Sequence, residues 1–299
     1  YKPADRRCCI MIIKTIIAVI AYLILAPFVG GFLAGLDSKL SARMQRRVGP
    51  PVLQPFYDVL KLFEKEKQTV TRVQDYYVLI FVIFVMASGA IFFAGGDLLL
   101  VIFTLTVASA FLIVAAFSSN SPYAQVGAER ELLQMMAYEP MVLMTAIGFY
   151  MYCGSFAVKD ILGGVSMPFL PLIGIFIGFV FILTIKFRKS PFDLSMSHHA
   201  HQELVRGLTT EFSGRTLGWI EISHWYENVF LLGFVFLFFA NGTVWGTVIG
   251  VVVCLLTYFF EVLIDNCFAR MKWQFAFKSA WIVALVCGVI NIFVLYLIV

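Results

Sequence analysis

The stretch "IMIIKTIIAVIAYLILAPFVGGFLAG", residues 10–35, holds a single charged residue, Lys14, in an otherwise apolar run. A helix that crosses the hydrocarbon core of a bilayer needs about 20 such residues, so this run is long enough. Backbone groups in lipid must be hydrogen-bonded within the chain, which favours a helix. The length of the run and the lack of a small-residue cleavage site predict a membrane span and not a removable signal peptide.

The rest of the chain follows the same pattern. Of the 299 residues, 61% are hydrophobic and 13% are charged, whereas a soluble domain carries roughly 25% charged residues. We predict an all-α polytopic membrane protein with about eight transmembrane helices and one amphipathic surface helix, forming a single transmembrane domain over 1–299. The predicted spans are residues 10–35, 76–95, 98–118, 132–153, 168–187, 221–241, 243–264 and 275–298.

Basic residues cluster on one side of the predicted bundle. The loops after odd-numbered spans hold most of the 22 Lys and Arg residues. The positive-inside rule therefore predicts a cell-membrane protein with these loops in the cytoplasm and both termini outside, although the basic N-terminal segment opposes this orientation. The two large polar loops, 36–75 and 188–220, are then cytoplasmic, and we expect them to contact a soluble assembly.

The first of these loops reads "LDSKLSARMQRRVGPP" and continues "VLQPFYDVLKLFEKEKQ" to Gln68. Basic residues three and four apart lie largely on one face of a helix, which the Gly-Pro-Pro then ends. The second part alternates apolar and charged residues at helical spacing, which predicts an amphipathic helix in the membrane interface. Binding to anionic lipid headgroups and docking of a protein both explain the charge. The basic residues are Lys39, Arg43, Arg46 and Arg47.

The sequence of this loop resembles that of a known family. "GLDSKLSARMQRRVGPP…QPFYDVLKLFEKE" is similar to the segment after the first helix in the H subunit of respiratory complex I and its relatives. That family has a D-R-K-x-x-A-R-x-Q-x-R-x-G-P pattern followed by an amphipathic surface helix, and Ser38 stands where it commonly has Arg. The resemblance implies that Lys39, Arg43, Arg46 and Arg47 contact a soluble arm that houses the redox centres.

The loop after the fifth predicted span reads "KFRKSPFDLSMSHHAHQELVRGLTTEFSG". Its S-P-F-D-L, E-L-V-x-G and E-F-S-G elements again resemble the same complex I family, in the loop that helps to enclose the quinone chamber. The resemblance implies an ion-translocation path through Asp193, Glu203 and Glu211. It also implies that Arg188 and Lys189 lie at the soluble-arm interface.

The sequence departs from the quinone-linked pattern on both sides of P-F-D. Quinone-linked members have an acidic residue before it and a carboxylate just after it. This chain has Arg188-Lys189-Ser190 before it and a histidine-rich segment after it. The "SHHAHQE" segment instead resembles the membrane subunit of Ech-type energy-converting NiFe hydrogenases.

The histidines have spacings that permit metal binding on a helix, with His198 and His201 three residues apart and His199 and Glu203 four apart. A third ligand is lacking, so we predict no metal site. Imidazoles titrate near physiological pH. We therefore place His198, His199 and His201 at the soluble-arm interface, where they could pass protons.

Acidic residues within membrane spans are functional candidates, because each costs roughly 2.5–3.5 kcal/mol to insert at mid-bilayer. "VGAERELLQMMAYEP" supplies Glu129, Glu131 and Glu139. Glu139 lies about 12 Å of helix beyond Glu131, toward the middle of the membrane. The arrangement also matches the complex I relatives, where these glutamates line a chain of carboxylates leading toward antiporter-like subunits.

"WIEISHWYENVF" places Glu221, His224, Glu227 and Asn228 on one helical face, and Glu261 and Asp265 are four residues apart. Such groups can also extend to the headgroups from a helix end. Neighbouring carboxylates in a low dielectric have raised pKa values and hold protons at neutral pH. A row of them can pass protons or bind Na⁺. We predict that His224, Glu227 and Glu261 belong to the path.

The sequence offers no catalytic residues: its six cysteines lack Fe–S ligand spacing, and we expect no cofactor in this chain.

The resemblance favours a membrane-anchoring, ion-coupling subunit of a ferredoxin-linked, H₂-evolving hydrogenase. The alternatives are a quinone- or phenazine-reducing complex I relative, a formate hydrogenlyase and, without internal repeats to support it, a stand-alone transporter. The NiFe centre and iron–sulfur clusters would lie in partner subunits. The expected partners are the hydrogenase large and small subunits, a ferredoxin-like iron–sulfur subunit, an antiporter-like membrane subunit and the lipid bilayer, with no nucleic acid.

Overall fold

A computed structural model describes residues 3–66, 68, 71–164, 167–197 and 204–298, with side chains from residue 12 to 297. The regular structure of these residues is helical, apart from one isolated antiparallel bridge between Asp97 and Ala157. The helices are α1 (Pro3–Met44), α2 (Gln54–Glu64), α3 (Arg72–Phe93), α4 (Leu98–Phe117), α5 (Pro122–Cys153), α6 (Val158–Leu162), α7 (Ile173–Lys186), α8 (Gly214–Leu237), α9 (Val244–Cys267), α10 (Trp273–Val283), a π-helical segment (Ala284–Val289) and α11 (Ile290–Ile298).

The prediction of an all-α polytopic membrane protein is confirmed. A helix lies in each of the eight predicted spans, with α10, the π-helical segment and α11 together forming the last one; the fifth, predicted over 168–187, is helical only over Ile173–Lys186. Among the described residues, six helices are long and apolar enough to cross a membrane, and α7 is apolar but only 14 residues long. The remaining span, α8, carries the polar residues discussed below.

Three helices extend beyond the apolar runs that predicted them. The first span continues to Met44 instead of ending at 35, α5 begins at Pro122 instead of 132, and α8 begins at Gly214 instead of 221. Apolar composition marks where the hydrocarbon ends, whereas a helix continues until its backbone meets a cap. More than half of the first predicted polar loop is therefore helical, whereas the second is helical only from Gly214 onward.

Helix α1 ends in a Schellman motif that has an arginine where glycine is usual. The Arg47 N–H bonds to the Ala42 carbonyl at 2.7 Å, the Arg46 N–H bonds to the Arg43 carbonyl at 3.0 Å, and Arg46 has a φ of 59°. The helix ends at Met44, before Gly49, so Arg46 and Arg47 lie beyond it. The prediction that all four basic residues share one helical face is wrong for these two.

The predicted amphipathic helix is α2, and it lies along α8. Val59 is buried, and two aromatic contacts join the helices: Phe56 to Trp225 at 5.2 Å and Phe63 to Trp219 at 5.4 Å between ring centroids. Leu60, another apolar residue of this helix, remains 59% exposed. The apolar side of α2 is therefore shared between the bundle and its surroundings.

The long polar segments meet at one end of the bundle. The Gln68 N–H donates to Ser213 Oγ at 3.0 Å, Arg215 Nε donates to the Phe63 carbonyl at 3.3 Å, and Thr216 Oγ1 donates to Asp75 Oδ1 at 2.7 Å. Helix α8 contacts α1, α2, α3 and α9. This packing brings the segment after α7 over the ends of α1, α5, α8 and α9.

Gly127 allows that segment to approach α5. A Cβ atom at this position would lie 2.4 Å from the backbone carbon of Gly207. We expect Gly127→Ala to destabilise the purified protein in detergent by about 1–3 kcal/mol, because neither backbone can move without disturbing its helix or loop. Thermal unfolding measures the effect. Gly163→Ala, where the nearest atom would be 3.5 Å away, is the control and should unfold like the parent.

Candidate functional site

The site begins where α7 ends, in a second Schellman motif with arginine at the usual glycine position. The Lys189 N–H bonds to the Thr184 carbonyl at 2.9 Å and the Arg188 N–H bonds to the Ile185 carbonyl at 3.0 Å. Arg188 has a φ of 54°, a backbone conformation that costs a non-glycine residue roughly 1–2 kcal/mol. This turn directs the side chains of Arg188 and Lys189 to different carboxylates.

Arg188 reaches α5 and α8. Its Nη2 donates to Glu131 Oε1 at 3.1 Å, and its Nη1 lies 2.6 Å from His224 Nε2. The same Nη1 lies 2.9 Å from His224 Nδ1, and because arginine has only donors, a ring nitrogen of His224 accepts from it. Nδ1 also lies 3.7 Å from Glu227 Oε2. Glu131, Arg188, His224 and Glu227 thus form one continuous series of charged and polar contacts.

Lys186, on the last turn of α7, joins this series. Its Nζ donates to Glu227 Oε1 at 3.2 Å and lies 4.1 Å from the centroid of the Tyr138 ring. The Lys186 and Glu227 side chains are only 5% and 9% exposed. A charge so deeply buried is stable only with its partner, because the surroundings cannot replace water.

A serine fixes the position of Glu131, and a glutamine on the same helix holds the segment that carries this serine. The Ser195 hydroxyl donates to Glu131 Oε2, and Gln134 Nε2 donates to the Phe192 carbonyl. Both contacts join α5 to the segment after α7. Each oxygen of the Glu131 carboxylate therefore has a partner from that segment.

Lys189 points to the opposite side of the turn and binds α1 and α9. It forms ion pairs with Asp37 and, at 3.5 Å, with Asp265, which also accepts the Ser190 N–H at 2.8 Å. Burial by itself would lower the pKa of Lys189, but the carboxylates of Asp37 and Asp265 outweigh it and raise that pKa. Lys189 is therefore a fixed positive charge.

A polar cavity of about 250 Å³ lies between these two groups of ion pairs. Glu221, His224, Glu227 and Asn228 all line it, which confirms that they share one face of α8. Lys186 also lines this cavity, and it lines two small adjoining ones. The first contains Glu131 and Tyr138, and the second contains Glu139 and Thr106. Lys186 is thus the junction between the polar cavity and the acidic residues of α5.

Asp193 is buried in the wall of the polar cavity, and its Oδ1 has no hydrogen-bond partner. Burial raises the pKa of its carboxyl group from 3.8 to about 6, although the nearby charges of Arg270 and Arg188 act to lower it. Asp193 can therefore change protonation state close to neutral pH.

Glu261 is fully buried on α9, and neither of its carboxylate oxygens has a hydrogen-bond partner. It lies one helical turn from Asp265, the partner of Lys189. An unpartnered buried carboxyl group is costly to keep ionised. Glu261 is not joined by hydrogen bonds to the series around Arg188.

Three comparisons identify the family of this chain. A family model described as NADH dehydrogenase matches residues 15–296. The chain belongs to this family. The H subunit of NADH-quinone oxidoreductase from Carboxydothermus hydrogenoformans is 31% identical over 245 residues, 75% of this chain and 67% of that protein. Hydrogenase-4 component C of Escherichia coli (strain K12) is 28% identical over 198 residues, 61% of this chain and 62% of that protein.

Among solved structures, the chain is similar to one from the membrane-bound sulfane sulfur reductase, an archaeal respiratory membrane complex. The TM-score is 0.82 at 26% identity, covering 93% of this chain and 99% of that one. The predicted membership of the complex I family of membrane subunits is confirmed. This NADH dehydrogenase family member is a membrane subunit of the type found in complex I-like and hydrogenase-related complexes.

The predicted path residues do not all meet. Glu131, Asp193, His224 and Glu227 come together, Glu139 is half-buried at the Lys186 junction, and Glu261 is buried apart from them. Glu129 is exposed on another face of α5 from Glu131, and Glu211 is half-buried. Glu203, His198, His199 and His201 lie outside the described residues. Within the described ranges, no three His, Cys, Asp or Glu residues are placed to hold a metal.

The predicted interface residues divide in two. Arg43, Arg46 and Arg47 are exposed and Lys39 is half-buried, so they remain available for contact with a partner. Arg188 and Lys189 are different, because their side chains are 18% and 10% exposed and form ion pairs inside the chain. The structure thus corrects the expectation that these two present their charge on the surface.

Sequence reasoning missed residues that complete the site. Lys186 could have been identified from the sequence, because a lysine at the end of an apolar span is a functional candidate. Ser195 and Gln134 gave no such signal, since an uncharged polar residue acquires its role only from what packs beside it. Asp37 and Arg270 were visible only as members of polar loops. Their partners lie far away in sequence.

We expect the changes in unfolding free energy caused by substitutions at Lys186 and Glu227 to be strongly non-additive. Glu227→Gln leaves the ammonium group of Lys186 buried without its carboxylate and should cost about 3–5 kcal/mol of unfolding free energy. The double variant Lys186→Met/Glu227→Leu removes both charges and should recover most of that loss. Thermal unfolding in detergent measures both. Equal losses in the single and double variants would contradict the pairing.

We expect a carboxyl group of the native protein to titrate with a midpoint near pH 6. Between pH 3.8 and about 6 the native state binds more protons at Asp193 than the unfolded state does, so this group's contribution to stability falls as pH rises through that window. Asp193→Asn should remove both the infrared band of the protonated acid and this slope. Glu211→Gln is the control and should retain them.

Proposed function

We propose that this chain anchors a soluble redox arm to the membrane and couples its chemistry to the movement of H⁺ or Na⁺. The observation that carries the proposal is the buried series from Glu131 through Arg188 and His224 to Glu227 and Lys186. It runs from the polar end of the bundle to the level of Glu139. Charged groups inside a membrane protein mark ion pathways, because they are costly to retain otherwise.

The arrangement offers a physical route for coupling. In a low dielectric a new charge acts strongly over several ångströms. An electron arriving near the polar end would weaken the hold of Arg188 or Lys186 on its carboxylate, or attract a proton to it. The carboxylates that respond are Glu131 and Glu227, with Asp193 at the entrance and Glu139 deeper in the membrane. This description applies equally to protons and to sodium ions.

The soluble arm would dock on the exposed arginines. Arg46 and Arg47 donate the two backbone hydrogen bonds of the Schellman motif at the end of α1, and Arg43 lies in the last turn of that helix. These three side chains are exposed, so their charges are available to pair with acidic groups of a partner.

We further propose that the complex is a ferredoxin-linked, H₂-evolving energy-converting hydrogenase of the Ech type. Two observations support this: the segment around His198 lacks the carboxylates typical of quinone-linked relatives, and hydrogenase-4 component C is among the similar proteins. The partners would be NiFe hydrogenase large and small subunits, a ferredoxin-like iron–sulfur subunit and an antiporter-like membrane subunit. The NiFe centre and iron–sulfur clusters would lie in those partners.

A second candidate is a membrane subunit of a sulfur-reducing complex. The observation that favours it is the 93% coverage of this chain by the sulfane sulfur reductase structure. Both candidates use this chain in the same way and differ in the soluble arm. The choice between them concerns the terminal electron acceptor.

The complex purified in mild detergent tests the assignment. Nickel content, ferredoxin-dependent H₂ evolution, polysulfide reduction and quinone reduction are measured on the same preparation. Nickel together with H₂ evolution supports the hydrogenase. Reduction of polysulfide without nickel supports the sulfur-reducing complex. Reduction of a quinone analogue without nickel supports a quinone-linked complex.

We expect Glu131→Gln to reduce coupled ion translocation in proteoliposomes by about tenfold or more, equivalent to at least 1.4 kcal/mol on the rate-limiting barrier. The substitution leaves Arg188 without its anion. Glu129→Gln is a matched control, because Glu129 lies on the same helix, only two residues away, and is exposed. It should keep coupling and assembly. Equal loss in both variants would place the path elsewhere on α5.

A further inference from the structure

The aromatic ring of Tyr138 lies against the buried ammonium group of Lys186, and the ion path proposed above gives this ring no role. The Lys186 Nζ is 4.1 Å from the ring centroid, a distance at which a cation is attracted to the negative face of the ring. Both side chains are only 5% exposed. Because little solvent reaches them, the attraction is stronger than it would be on a surface.

Two different partners therefore hold the ammonium group. Glu227 of α8 accepts a hydrogen bond from Nζ at 3.2 Å, and Tyr138 of α5 presents its ring. The two partners respond differently to a proton. A carboxylate loses most of its attraction for Lys186 when it takes up a proton, whereas the ring face attracts the cation in either protonation state of Glu227.

Tyr138 also has a particular place among the acidic residues of α5. Together with Lys186 it lines both small cavities that adjoin the polar cavity, the one that contains Glu131 and the one that contains Glu139. Tyr138 follows Glu131 by two helical turns, about 10 Å, and directly precedes Glu139. A cation held against this ring is therefore kept beside both cavities.

We propose that Tyr138 is a positioning residue for Lys186, and that its ring keeps the ammonium group at the junction while Glu227 gains and loses a proton. Without the ring, protonation of Glu227 would leave a buried cation that has lost its paired carboxylate, which is strongly unfavourable. The role rests on the proposed ion path. The contact between ring and cation can be measured without reference to that path.

Two substitutions at Tyr138 separate the ring from the hydroxyl group. Phenylalanine retains the ring face and loses only the hydroxyl, whereas leucine is also apolar but has no ring. Tyr138→Phe should therefore keep Lys186 in place, and Tyr138→Leu should not.

Unfolding of the purified protein in detergent measures the contact. Tyr138→Leu is made in the parent and in the Lys186→Met/Glu227→Leu protein, which lacks the cation and leaves no charge unpaired. The folded-to-unfolded ratio should fall about tenfold more in the parent than in that background, and Tyr138→Phe should show little of this difference. Phe149→Leu, which removes another fully buried ring from α5, is the control and should cost the same in both.

Ion translocation by the assembled complex in proteoliposomes tests the role. Tyr138→Leu should reduce coupled translocation about tenfold, and Tyr138→Phe should retain it. Equal loss in both variants would assign the role to the hydroxyl group and overturn the proposal. So would equal destabilisation by Tyr138→Leu in the two backgrounds.

The Glu131→Gln variant distinguishes failure of this inference from failure of the proposed function. Full coupling in Tyr138→Leu, where Glu131→Gln abolishes coupling, would overturn the role of Tyr138 alone. Full coupling in both variants would overturn the ion path, and the role of Tyr138 with it.

Discussion

Three cations at the end of α7 impose the main constraint on this structure. Lys186, Arg188 and Lys189 are buried, and each requires a carboxylate. The partners come from four different helices: Glu227 from α8, Glu131 from α5, Asp37 from α1 and Asp265 from α9. Because an unpaired buried charge is strongly destabilising, these helix ends must assemble around the turn that follows α7.

The turn itself depends on backbone geometry that its sequence does not favour. Arg188 adopts the left-handed conformation that glycine usually supplies at the end of a helix. Its contacts with Glu131 and His224 offset that strain. The same turn sends Lys189 in another direction, so adjacent residues serve separate groups of ion pairs.

Charge at the polar end of the bundle falls into two groups. The arginines at the end of α1 are exposed, whereas Lys186, Arg188 and Lys189 form ion pairs inside the chain. The burial of each side chain separates these groups more clearly than its residue type does. Arg46 and Arg188 follow the same kind of helix end, yet one is exposed and the other is buried.

The sequence by itself determined the all-α membrane fold, the amphipathic helix α2, the shared face of α8 and the family. These follow from apolar run length, helical periodicity and local motifs, which depend on neighbouring residues. It also identified Glu131 and Glu227 as candidates, because charge in a span is costly. Only the tertiary structure decided that Arg188 and Lys189 turn inward, that Lys186 is the junction and that Glu129 lies outside. An ion pair between distant helices depends on packing, and no local pattern records which carboxylate a cation will meet.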